Sequence, residues 1–248
     1  MAEFKDHFST LSAEYVKFRP VYPKELFEYL SGLCQEHQLA WDAATGNGQA
    51  AHGLAPYFEQ VIATDASESQ IANAVPHPQI EYKTMLSEKT DFPNAHFDLV
   101  TASTALHWFD FDTFYPELKR VLKPNGVFAA WCYSSVFIDP VVNPHVDALY
   151  WKVHAVWPKE RLHVDAGYQD IPFPLAEIVP PKIRLFAHWE LAQLIGYFKT
   201  WSGLKIHLEQ FGKNSLDDYW QNIHAAWGDA KIKKQIEWKF HLRVGRNT

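Results

Sequence analysis

The residues with the clearest chemical potential lie in the run Ala40-Trp41-Asp42-Ala43-Ala44-Thr45-Gly46-Asn47-Gly48-Gln49-Ala50-Ala51. An apolar stretch that enters a Gly-x-Gly turn and leaves it as a helix brings backbone N–H groups up to a nucleotide-bearing ligand. Gly46 can take the tight bend, Gly48 lets a ligand approach the main chain, and Ala51 keeps the helix against the strand. Nineteen residues beyond Gly46, the run Val61-Ile62-Ala63-Thr64 ends in Asp65, where a carboxylate can accept hydrogen bonds from both hydroxyls of a ribose. The charge at the turn discriminates between ligands. Asp42 stands four positions before Gly46, so it would repel a dinucleotide pyrophosphate brought to this helix N-terminus and attract a cation. S-adenosylmethionine offers a ribose for Asp65, no phosphate, and a cationic amino-acid end and sulfonium. The pattern therefore prefers it to NAD or NADP.

Around the turn, short apolar runs alternate with helix-periodic stretches. Leu39 to Ala44, Gln60 to Thr64, Gln79 to Lys83, Phe97 to Ala102 and Gly126 to Tyr133 are predicted strands, with helices near Gln49 to Phe58, Ser67 to Ala74 and Phe111 to Leu122. Alternation at this spacing means parallel crossovers in a sheet covered on both faces, the doubly wound α/β class. Residues 1–35 form an N-terminal helical cap whose second helix starts after Pro23, and residues 36–135 the cofactor-binding core. Residues 136–205 are broken by prolines and carry Trp151, Trp157, Tyr168, Phe173, Trp189 and Trp201; they are expected to insert over the sheet as a substrate cap. Residues 206–248 return to regular structure, with helices near Leu216 to Ala226 and Asp229 to Glu237. The run Phe240-His241-Leu242-Arg243-Val244 alternates apolar and basic residues, as a half-exposed last strand at a sheet edge would.

With 248 residues, 47% hydrophobic and 21% charged, the chain suits one globular domain and excludes disorder or a fibre. Cys34 and Cys132 cannot make a disulfide framework or a four-thiolate zinc site. No 18-residue apolar run and no signal-like N-terminus occur, so no membrane association is expected and the cytoplasm is the default location. A formal charge of -6 works against a nucleic-acid partner. The richest basic patch, Lys231 with Lys233 and Lys234, is expected on the solvated face of a helix. No metal is expected: there is no His-x-His or His-Glu-x-x-His, and His145 and His154 are nine apart, on opposite faces of a helix.

Asp42 through Gly48 resembles the first motif of the class I S-adenosylmethionine-dependent methyltransferases, usually Asp-x-Gly-x-Gly-x-Gly, and Asp65 their acidic second-strand terminus. Leu86-Ser87-Glu88 is similar to the adenine-side segment, Phe97-Asp98-Leu99-Val100 to the fourth strand, and Leu122-Lys123-Pro124-Asn125-Gly126 to the turn before the fifth. Ala44 and Asn125 depart from the pattern, both standing where the family commonly has glycine. Tyr15-x-x-x-Arg19-Pro20-x-Tyr22-Pro23, Ala105-Leu106-His107-Trp108-Phe109-Asp110, Trp201-Ser202 and Leu242-Arg243-Val244-Gly245-Arg246 resemble the small-molecule branch related to trans-aconitate methyltransferases. The resemblance covers nearly the whole chain. It implies a Rossmann-like, mostly parallel seven-stranded sheet with an antiparallel last strand, S-adenosylmethionine as cofactor, and cofactor contacts from Arg19, Asp42, Ala43, Ala44, Gly46, Gly48, Asp65, Ala66, Leu86, Ser87 and Ser103.

Methyl transfer from a sulfonium is an in-line displacement, so the protein's task is alignment and charge placement. A carboxylate acceptor is already ionised at pH 7, whereas a hydroxyl needs proton removal. His107 follows the fourth strand and is the catalytic candidate, a structural histidine being the alternative. Arg19 is placed to hold a carboxylate of the cofactor or of an acidic substrate, with Tyr15, Tyr22, Trp108, Tyr168 and Trp201 as substrate-pocket walls, or else packing residues. The Asn/Asp-Pro-Pro-aromatic run of nucleobase methylases is absent; Ser103-Thr104-Ala105-Leu106 stands there. The expected activity is methylation of a small molecule, at the oxygen of a carboxylic acid, by a monomer or homodimer. The rivals are an NAD(P)-dependent oxidoreductase and a non-catalytic protein that binds S-adenosylmethionine.

Overall fold

A computed structural model describes residues 18–248. Tyr15 and the expected first helix lie outside the described residues. The parallel core follows the sequence pattern: β1 Leu39–Ala43, β2 Gln60–Asp65, β3 Ile80–Thr84, β4 Phe97–Ser103 and β5 Leu122–Phe137. The sheet order is β3-β2-β1-β4-β5, then β8 (Lys234–Arg246) antiparallel to β5. The outer side of β8 carries both β6 (Ala176–Ile178) and β7 (Leu185–Trp189), antiparallel to its two ends. Among the described residues, eight strands thus fill seven positions across the sheet.

Period-two alternation divides the core between the two faces. Ala40, Val61, Ala63 and Leu99 pack with Leu26 and Leu30 of α1 (Lys24–Gly32) and Ala51 and Leu54 of α2 (Gln49–Leu54). Trp41, Ala43, Val100 and Ala102 pack on the other face with Phe114 and Leu118 of the helix Phe111–Val121, which is α4, α3 being the short helix Glu68–Ala72. The chain turns opposite ways from β1 into β2 and from β4 into β5, so the carboxyl ends of β1 and β4 flank a topological switch point, where doubly wound sheets bind ligands.

The segment after β5 holds α5 (Asn143–His154), α6 (Arg161–Asp165), β6, β7 and α7 (Leu191–Lys199). Two of its strands join the sheet, so it extends the fold as well as covering it. The helices α8 (Ser202–Phe211) and α9 (Asp217–Trp227) follow. The expected helix Asp229 to Glu237 is not formed. Asp229 accepts the Lys231 N–H in a tight turn (2.9 Å), and from Lys234 the chain is strand, with Ile236 and Trp238 buried between β5 and β7. The basic patch is therefore no helix face, and Lys234 pairs with Asp139 at 2.6 Å. Nor is β8 an edge: β6 and β7 cover it, and Arg243 is buried.

Both departures from the glycine pattern fall on left-handed backbone, Ala44 at φ 53° and Asn125 at φ 63°. Asparagine tolerates that region, whereas the alanine Cβ is crowded by the following carbonyl. Ala44→Gly is expected to stabilise the protein by about 1 kcal/mol, and Asn125→Gly by less, both read from urea denaturation midpoints.

Candidate active site

Asp42 is fully buried on the α2 side of the sheet, directly opposite Thr101 of β4. Thr101 Oγ1 donates to one carboxylate oxygen at 2.8 Å and Thr45 Oγ1 to the other at 2.5 Å. The Ala51 N–H, in the first turn of α2, donates as well. The acid therefore sits beneath the glycine turn, not on its open face, and ties β1, β4 and α2 together. Burial pushes its pKa up to about 6 against these hydrogen bonds, with the nearby charge of Asp65 adding to the rise.

Asp65, at the end of β2, is half-buried. Its carboxylate accepts the Gly46 N–H at 2.8 Å and the Ser67 N–H at 2.9 Å, and the β3 terminus is tied in by the Met85 N–H on the Asp65 carbonyl at 2.9 Å. These bonds fix the carboxylate's orientation without exhausting a group with about four acceptor sites. Gly46 is left-handed at φ 58°, and a Cβ there would meet nothing nearer than Gln70 Oε1 at 3.9 Å, which is room for a ligand. Gly48 is left-handed at φ 93°, and a Cβ there would lie 2.2 Å from the Tyr82 hydroxyl, so the fold itself calls for glycine at this position. Ala43 is buried between its partners Thr64 and Ala102, Ala66 is half-buried beside Asp65, and Leu86 is exposed while Ser87 is buried beyond β3. Open space at Gly46 and an oriented acid at Asp65 fit S-adenosylmethionine.

From the end of β4 the site continues toward the segment after β5. Ser103 Oγ donates to the Tyr22 hydroxyl at 2.8 Å. Thr104 is left-handed at φ 53°, a costly conformation for a β-branched residue and one that clusters at functional sites. It lines a cavity with His107, Trp108, Trp201, Arg19 and Arg161. Arg19 donates to the Tyr133 hydroxyl at 2.9 Å and the Thr200 carbonyl at 3.2 Å; the structure places it on this cavity. Arg161 stacks over Trp157 and donates to Asp165 at 2.9 Å. His107 is buried, with Nδ1 2.8 Å from the Tyr168 hydroxyl. Burial, then the positive charges of Arg161 and His163, pull its pKa down to about 3.

The structure thus brings His107, Trp108, Trp201 and Arg19 to one cavity. Tyr22 lies below Ser103, and Tyr168 stands behind His107. Thr104 and Arg161 are not among the sequence candidates, and Trp157 is named there only among the aromatic residues of the expected cap; Thr104 lies in a quoted motif, but Trp157 and Arg161 meet the site only through tertiary packing.

Three comparisons bear on this geometry. Residues 41–130 match a family model described as a methyltransferase domain. A protein of Dictyostelium discoideum with a provisional methyltransferase name is 33% identical over 239 residues, covering 93% of this chain and 91% of its own length. A solved structure from Anaeromyxobacter dehalogenans, described provisionally as a type II methyltransferase, superposes with a TM-score of 0.87 at 38% identity, covering 93% of this chain and 98% of its own. The chain belongs to the class I S-adenosylmethionine-dependent methyltransferases, and S-adenosylmethionine is its cofactor. No helix among the described residues is long and apolar enough to cross a membrane.

A carboxyl group whose folded pKa is raised to about 6 binds its proton more tightly in the folded state. Its stabilising contribution is complete below the unfolded value near 4 and is lost as pH rises through 6. At about 1.4 kcal/mol per pKa unit, Asp42 should lower stability by roughly 3 kcal/mol across that window. Asp42→Asn is expected to flatten the corresponding slope in denaturation measured between pH 4 and 7.

Proposed function

We propose that this methyltransferase acts on the carboxylate of a small organic acid. The observation that carries the reading is the composition of the cavity wall: two guanidinium groups, Arg19 and Arg161, no acidic side chain among its described residues, and a histidine held neutral. A base with a pKa near 3 is a poor match for deprotonating a phenol or alcohol at neutral pH. A carboxylate needs none, and guanidinium groups recognise it by charge and shape.

Asp65 would hold the ribose hydroxyls, and the open backbone at Gly46 would accommodate the adjoining part of the cofactor. When bound, S-adenosylmethionine supplies an electrophilic methyl group: the acceptor oxygen forms the new O–C bond while the C–S bond breaks with its electron pair going to sulfur. The chain's own groups have no proton to move in this step. Arg19 and Arg161 bind and orient the acid, the indoles of Trp108, Trp157 and Trp201 restrict water, and residues 136–205 act as the cap that completes the cavity.

Asp65→Ala is expected to weaken S-adenosylhomocysteine binding by roughly 1–3 kcal/mol in calorimetry; unchanged affinity would remove Asp65 from the cofactor site. A screen of small acids, phenols and amines with labelled methyl donor should yield methyl esters. Arg161→Met should then raise KM for the acid roughly ten- to a hundredfold while leaving cofactor affinity unchanged. Turnover confined to phenols or amines would refute the carboxylate assignment, and turnover of nothing in a protein that binds cofactor would favour a non-catalytic role.

A further inference from the structure

Tyr168 occupies an unusual position. It is buried, follows Gly167 at φ 63° and is itself left-handed at φ 62°, two consecutive residues in a region that L side chains seldom adopt. A Cβ on Gly167 would strike the His241 ring at 2.3 Å, so that position requires glycine. The strained segment is held from β8 by the buried guanidinium of Arg243. Its Nη1 donates to the carbonyls of Tyr168 at 2.7 Å and Ile171 at 2.6 Å, while Nε and Nη2 reach Glu177 at 2.9 and 2.8 Å. The guanidinium also lies 4.4 Å from the centre of the Phe173 ring. Strain of this kind persists where the surroundings over-determine it, and it clusters at working sites. Here its effect is to aim one hydroxyl at one nitrogen.

That hydroxyl lies 2.8 Å from His107 Nδ1, and its oxygen also accepts the His107 backbone N–H; among the described residues Nδ1 is the acceptor within reach of its hydrogen. Burial keeps the phenol protonated, so its hydrogen needs an acceptor. Nδ1 can accept only if it carries no proton, because a buried hydroxyl hydrogen facing an N–H would be left unsatisfied. The ring proton of the neutral imidazole then resides on Nε2, which has no partner among the described residues, on a ring that lines the cavity.

We propose that Tyr168, set in place by Arg243, is a positioning residue that locks His107 in the Nε2–H tautomer, so that the imidazole meets the methyl acceptor as a hydrogen-bond donor and not as a base. The role assigned to the donor rests on the carboxylate reading above: an N–H directed at one oxygen of the acid orients the group for attack by its oxygen lone pair. The tautomer itself does not depend on that reading.

Two measurements test the proposal. Nitrogen-15 NMR of the histidine rings in the full chain, with S-adenosylhomocysteine bound and no acceptor present, should show His107 Nδ1 bare and hydrogen-bonded and Nε2 protonated, with the Nδ1 resonance displaced in Tyr168→Phe. A protonated Nδ1 in the wild type, or an Nδ1 resonance indifferent to Tyr168→Phe, would overturn it. If Tyr168→Phe does not fold, the wild-type tautomer still decides. For turnover of the best acid from the screen, His107→Gln retains an N–H donor without a usable base and should keep kcat within about tenfold, whereas His107→Ala should lose about a hundredfold. Equal losses in the two variants would exclude the donor role. Failure of every acid to be methylated would strike the carboxylate assignment and leave the nitrogen-15 result standing.

Discussion

The whole carboxyl edge of the sheet depends on an acid kept out of water. Asp42 can remain at the end of β1 only because Thr45, Thr101 and the Ala51 N–H surround it. Those donors come from the glycine turn, from the neighbouring strand β4 and from the first turn of α2, so satisfying one carboxylate fixes three elements relative to one another. Removing a donor would leave a buried oxygen without a partner, which is costlier than never having placed it there. The same knot sets the path of the turn. It presents the Gly46 N–H to Asp65 and forces Ala44 into a left-handed conformation that an L-alanine accepts only under constraint.

Each side of the site solves its own electrostatic problem. On the proposed cofactor side, Asp65 is half-buried and is oriented by two main-chain donors. On the proposed acceptor side, burial together with Arg161 and His163 holds His107 neutral, while Asp165 anchors Arg161 from the flank, gathering Tyr150 and His154 as well. The division follows the switch point in the sheet: β1 and β2 supply the first half, and β4 with the segment after β5 supplies the second.

Much of the first half was legible in the sequence because it is local. Strand, glycine bend, helix and the following acid lie within 26 residues from Ala40 to Asp65, and each residue type has a short-range conformational reason. The second half is built from distant partners. Arg161 meets His107 from 54 positions away, and Arg243 holds Tyr168 across 75; no spacing rule encodes such contacts. The position of Asp42 beside the turn is legible in the sequence, but its direction is not: strand periodicity says which face it takes, and only the packed structure says that Thr101 and Ala51 close over it. The stretch from Asp229 to Glu237 misled for a related reason. Ile232 and Ile236 have helical spacing, yet Ile236 alternates with Trp238 as a strand does once β5 and β7 offer hydrogen bonds on both sides.

During synthesis the sequence of strands has a further effect. β6 and β7 leave the ribosome before β8, the strand to which both are paired. The nascent chain can zip β1 through β5 side by side as each emerges, because every crossover returns to an edge already made. The later pair must wait, unpartnered, until β8 threads antiparallel between them and β5, bringing Arg243 against the Tyr168 carbonyl. Long-range antiparallel closure of this kind is slow relative to local assembly, so the order of synthesis allows the glycine turn and Asp65 to be assembled before the segment that carries Tyr168 is closed.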